Sequence, residues 1–88
     1  MTIKEIKSLL PLTVKMLSLE HNGVRQEYHP FYNGVCQLIR ITESDYIFDR
    51  LGCESFISRK SKIDKRNNYL VFTYKNDGLE IVTTYEIV

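Results

Sequence analysis

The chain has 88 residues, 43% hydrophobic and 26% charged, with twelve basic side chains against eleven acidic ones and a formal net charge of +1. That length holds one domain, spanning 1–88, and that balance argues against a whole-protein field that gathers nucleic acid or anionic membrane, and equally against a DNA mimic. Nine isoleucines, six tyrosines and four phenylalanines argue against disorder, no apolar run is long enough for a bilayer, and Met1–Glu5 gives no sign of a signal peptide.

Thr2-Ile3-Lys4-Glu5 fits a capping box, with Thr2 as N-cap and Glu5 reaching back to it. Ile3, Ile6, Leu9 and Leu10 then share one helical face, and Pro11 ends the helix by removing an amide, so a short helix is expected over 3–10. After Pro11 the pattern alternates. Leu12, Val14 and Met16 lie on one face of a strand, whereas Leu17 and Leu19 lie on the other, which requires either burial on both faces or a bulge. Asn22-Gly23 marks a type I′ hairpin, because both central residues of that turn need positive φ. The register it sets places Glu20 opposite Arg25 and Leu17 opposite Tyr28.

Tyr28-His29-Pro30-Phe31-Tyr32-Asn33-Gly34 reads as an aromatic turn, and Val35 to Thr42 as a strand with a helix as the competing reading. Thr42-Glu43-Ser44-Asp45 resembles a helix start, Ile47, Phe48 and Leu51 an apolar face, and Gly52 a C-terminal cap, so a second helix is expected near 43–51. Phe56 and Ile57 suit a strand, and 58–68 is polar and loop-like. Tyr69 to Tyr74 is a strand, and Asp77-Gly78 is a second type I′ signal. That turn pairs Lys75 with Glu80, Tyr74 with Ile81 and Leu70 with Tyr85, and puts Leu70, Phe72, Tyr74, Ile81, Tyr85 and Ile87 on the core face. The fold expected is α+β: a single antiparallel sheet of five to six strands, with two short helices packed on one face. The strand Leu79 to Val88, if it lies at an edge, offers a route to a homodimer.

Two stretches carry candidate site residues. In the segment 59–66, Arg59, Lys60, Lys62, Lys65 and Arg66 could seat on an acidic protein surface or along a phosphate backbone, against the plainer account of a solubilising connection. Tyr28, Phe31 and Tyr32 could anchor a partner, against the plainer account that Phe31 and one tyrosine plug the sheet. Cys36 and Cys53, with sixteen residues between them and no secretory signal, suggest free thiols in a cytoplasm. With His21 and His29 they lack metal-ligand spacing, and Asp45 and Asp49 lack an evident pocket. No metal, cofactor or catalytic group is therefore expected.

The absence of alanine and the wealth of Ile, Lys, Asn and Tyr suit a β-leaning chain from an AT-rich source. These features lead to the expectation of a small non-catalytic protein–protein interaction module with a larger partner. Its most concrete form is an inhibitor or modulator of a host system, encoded by a phage or mobile element and acting in anti-defence. The alternative is a small nucleic-acid-binding regulator using the basic segment.

Overall fold

The computed structural model describes residues 2–88. Helix α1 (Ile3–Leu9) begins at the expected capping box: the Thr2 hydroxyl accepts from the Glu5 amide at 3.2 Å, and the Glu5 carboxylate accepts from the Thr2 amide at 3.3 Å. It buries Ile6 in the core and leaves Leu9 exposed. Eight strands follow: β1 (Leu12–His21), β2 (Val24–Arg25), β3 (Val35–Ile41), β4 (Asp45–Arg50), β5 (Cys53–Ser58), β6 (Lys62–Arg66), β7 (Tyr69–Asn76) and β8 (Leu79–Ile87). They form one antiparallel sheet in the order β5-β4-β3-β1-β8-β7-β6, with β2 on β1.

This corrects the expected α+β layering to an almost wholly β fold. The segment 43–51 is not a second helix; Asp45–Arg50 is β4, hairpinned to β5 through Leu51 and Gly52 at φ 52° and 84°. Tyr46, Ile47 and Phe48 are consecutively buried, so no two-residue alternation survives to announce a strand. Ile47 lies on the outer face between Arg40 and Phe56, beside the Arg40–Glu54 ion pair. Gly52, expected as a helix cap, serves a type I′ turn, because both structures ask a glycine for the same positive φ.

Both expected hairpins are present. Asn22 and Gly23 have φ 52° and 83°, and Asp77 and Gly78 have φ 46° and 80°. Glu20 pairs with Arg25, while Lys75–Glu80, Tyr74–Ile81 and Leu70–Tyr85 pair as the second turn requires. Leu17 does not meet Tyr28. It is the extra residue of a bulge between Met16 and Ser18, which carries Leu19 onto the face already used by Val14 and Met16. A second bulge, at Ile39, keeps Leu38 inward opposite Phe48. The segment 35–41 is a strand.

The topology dictates the shape. β5 and β6 stand at opposite ends of the strand order, yet residues 59–61 alone connect them. Every neighbouring pair is antiparallel, so β5 and β6 run in the same sense and cannot form a hairpin. A three-residue link between the two ends of the order is geometrically feasible only if the sheet is rolled on itself. The aromatic core reports the same closure. Tyr46 of β4 meets Phe72 of β7 edge to face at 5.2 Å, and Phe48 stacks on Tyr85 of β8 at 4.6 Å, although neither pair is adjacent in the sheet.

The C-terminal strand is not an edge. β8 is held between β1 and β7, from Val14–Ile87 to Asn76–Leu79, so strand addition or dimerisation through it is ruled out. No helix of the described residues is long and apolar enough to cross a membrane.

Candidate functional site

Among the described residues, the unpaired ladder edges that end the strand order belong to β5 and β6, which follow one another through the 59–61 corner. The sequences of the two edges differ sharply. β6 reads Lys-Ile-Asp-Lys-Arg, and its Lys65 lies on the same face as buried Ile63 but is exposed. β5 reads Cys-Glu-Ser-Phe-Ile-Ser, with Glu54 its sole charge and an unbroken register against β4. Phe56 is 59% exposed on its outer face.

The structure separates the five basic candidates. The Arg59 guanidinium donates to the Thr42 carbonyl at 2.6 Å and lies 5.7 Å from the Tyr46 ring centroid, and its amide donates to the Ser44 carbonyl at 2.9 Å. Arg59 therefore pins the corner to the β3–β4 turn rather than offering a free charge. Burial raises the Tyr46 phenol above its ordinary range, with Arg59 opposing that shift. Lys60 and Lys62 share an outer-face depression with Asp64, Lys75 and Glu80, where signs are interleaved. Lys65 faces the other side of β6, and Arg66 pairs with Tyr69 near the β6–β7 turn. The segment is not the single loop expected, since 62–66 is strand.

The aromatic turn divides as well. Phe31 is buried, and its amide donates to Nδ1 of His29 at 3.0 Å. The Tyr32 hydroxyl donates to the Gln26 carbonyl at 2.6 Å and accepts from the Leu19 amide at 3.3 Å, and the Arg25 guanidinium lies over the Tyr32 ring at 4.5 Å. These two side chains fasten the 26–34 connection to β1. Tyr28, 84% exposed, is the aromatic left outside. Gly34 leaves room for the Arg50 guanidinium, which would have to shift if a Cβ were present and which donates to the Pro30 carbonyl at 3.0 Å.

Sequence reasoning misses one concavity lined from both ends of the strand order. A cavity of about 350 Å³ opens between the Ser55–Ser58 stretch of β5 and the inner faces of β1, β7 and β8. Met16, Leu19, Phe72 and Tyr85 give it apolar walls. Thr83 and Ser61 are its buried polar groups, and the Ser61 hydroxyl finds no hydrogen-bond partner among the described residues. Burial drives the Tyr85 phenol far above its ordinary range, so it stays protonated. The signal available in sequence was the set of small or polar residues, Ser55, Ser61 and Thr83, among large apolar ones. Reading it requires knowing that β5 comes to face β8.

The cysteines are both thiols. Cys36 is buried on the inner face, where burial pushes its thiol up against the opposing pull of Arg50, so it stays protonated and a poor nucleophile. Cys53 is exposed beside the β4–β5 turn. Among the described residues no three His, Cys, Asp or Glu side chains gather into a metal-holding group. Compared with protein families, curated proteins and solved structures, the chain matches none of them.

Proposed function

We propose that the protein is a non-catalytic interaction module and that its β5 edge receives an extended strand of a larger protein partner. The observation that carries this reading is an unpaired, register-true edge with Phe56 exposed beside it and a single charge along its length. Native edges are normally blunted by lysine, proline or bulges, and β5 has none of these. Backbone hydrogen bonds along the added strand would supply affinity, and side-chain contacts would supply choice of partner. Burying the exposed part of Phe56 would add about 1–2 kcal/mol.

Leu51 supports the same side of the molecule. It is 97% exposed at φ 52°, a conformation that a leucine adopts at a cost. A strained apolar side chain presented at a turn tip is easier to understand as a contact than as a stabilising choice. An inhibitor or modulator that occludes a partner's surface is the form of this reading favoured by the small size and AT-rich composition. A cytoplasmic setting fits the unpaired thiols.

The test is site-specific photocrosslinking in extract of the source cells, with a benzophenone side chain at position 56 or at position 65. Adducts to one protein from position 56, lost when a lysine is placed at Ser55, are expected. Adducts from position 65 alone, or from neither position, would overturn the reading.

A further inference from the structure

We infer that the cavity inside the rolled sheet is a binding site for a neutral, mostly apolar, compact molecule carrying one hydrogen-bonding group, which Ser61 engages. This goes beyond the strand-addition reading and does not depend on it, since no protein partner enters either the argument or the test.

The volume, about 350 Å³, lies within the range of small-molecule sites, which are typically apolar and orient their ligand with a few placed polar groups. The walls supply the apolar part. Phe72 and Tyr85 belong to the edge-to-face aromatic cluster of the core, with ring centroids 5.7 Å apart, so this wall is held rigid from behind. Met16 and Leu19 reach the same wall because the bulge at Leu17 turns both inward. Without that extra residue Leu19 would face outward.

Ser61 supplies the polar part. It is 7% exposed, and its hydroxyl lines the cavity without a partner among the described residues. An unsatisfied buried hydroxyl costs free energy in a structural role, and a ligand that donates to it or accepts from it removes that cost. Its position is fixed, because the Ser61 amide donates to the Ser58 carbonyl at 3.0 Å and Arg59 pins the same corner.

Neutrality follows from the lining, whose polar side chains are hydroxyls and the His21 and His29 imidazoles and which contains no carboxylate, ammonium or guanidinium group. His29 contributes a neutral imidazole, since its Nδ1 accepts from the Phe31 amide and therefore carries no proton. A charged ligand group would lose its hydration there without gaining a counter-charge.

Indole tests the proposal, being a neutral ring compound with one N–H donor. The full chain is titrated with indole and followed by amide chemical shifts. Saturable shifts are expected at Ser55, Ser61 and Thr83, with dissociation in the micromolar to millimolar range. Ser61→Ala should weaken binding about fivefold, the loss of one hydrogen bond. Thr83→Leu should fill the cavity and abolish the shifts. Should that variant fail to fold, Ser55→Leu, on the partly buried inner face of the β5 edge, serves the same purpose. Absence of saturable shifts, shifts that persist in a folded cavity-filled variant, or tighter binding of octanoate than of indole would each overturn the inference.

Discussion

Along β6, four of five residues are charged, whereas along β5 Glu54 stands alone. The two strands follow one another in the chain, both end the strand order, and they differ in side chains. β6 is defended in the ordinary way, by charges along its length. β5 is not, and beside it stand exposed Phe56 and exposed Leu51. The comparison teaches that two consecutive strands of one chain can carry opposite edge chemistry, heavily charged along β6 and nearly uncharged along β5.

The largest effect should come from removing what holds the two ends of the sheet rolled together. Phe72 touches Tyr46 and Phe48 across the roll and Tyr85 on the neighbouring strand. Phe72→Ala should lower unfolding free energy by about 3–5 kcal/mol in denaturant titration. A loss below about 1 kcal/mol would mean that the roll is not held by this cluster.

Arg59→Ala comes next. Losing a charge-assisted bond to Thr42 should cost about 1.5–3 kcal/mol, against about 0.5 kcal/mol or less for Lys62→Ala or Lys65→Ala. Equal costs for all three would restore the basic segment as one exposed surface. The result also bears on charge-reversal experiments, because reversing Arg59 together with the four other cations would damage the corner as well as the charge.

A smaller change of opposite sign is expected at the tip of the β5 hairpin. Leu51→Asn should stabilise the chain by about 1 kcal/mol, since asparagine tolerates positive φ. If Leu51 is retained for contact, the stabilised variant should also give fewer adducts from position 56.

The smallest effect is a dependence on pH. Burial pulls the His29 imidazole below its ordinary value of 6.5, so the unfolded chain takes up a proton before the folded one does. The stability involved is fully present above 6.5 and is lost as pH falls through the lowered folded value. Protonation would also remove the Nδ1 acceptor of the Phe31 amide. His29→Asn, which keeps an acceptor in the turn, should flatten the melting temperature between about pH 7.5 and about pH 5.5. An unchanged slope would place the titration elsewhere.

The C-terminal half was readable because its devices are local. Asp77-Gly78 sets a register, and period-two alternation from Leu70 to Ile87 names the core face. The need for a bulge in β1 was readable too, since Leu17 and Leu19 break phase with Met16. The β4–β5 hairpin was not, for two physical reasons. Ile47 is covered on the outer face, which erases alternation, and Leu51-Gly52 carries its turn on a leucine where asparagine or aspartate would have signalled it. β6 was hidden by its charges, which suit an edge and depress strand propensity. The cavity and the roll depend on contacts between strands distant in sequence, and no local pattern encodes them.

The central pairing of β1 with β8 has a consequence in time. Val14 meets Ile87, so the middle of the sheet closes a loop of nearly the whole chain, while β6, β7 and β8 are joined by tight turns. Folding should therefore be slow for so short a protein, in the range of milliseconds to seconds. Until that ladder forms, the two halves have no reason to curl together, and β5 and β6 are ends of separate ribbons. On a ribosome, β1 to β5 would wait for β8, which emerges after them, and until then the β4–β5 hairpin has only its local pairing.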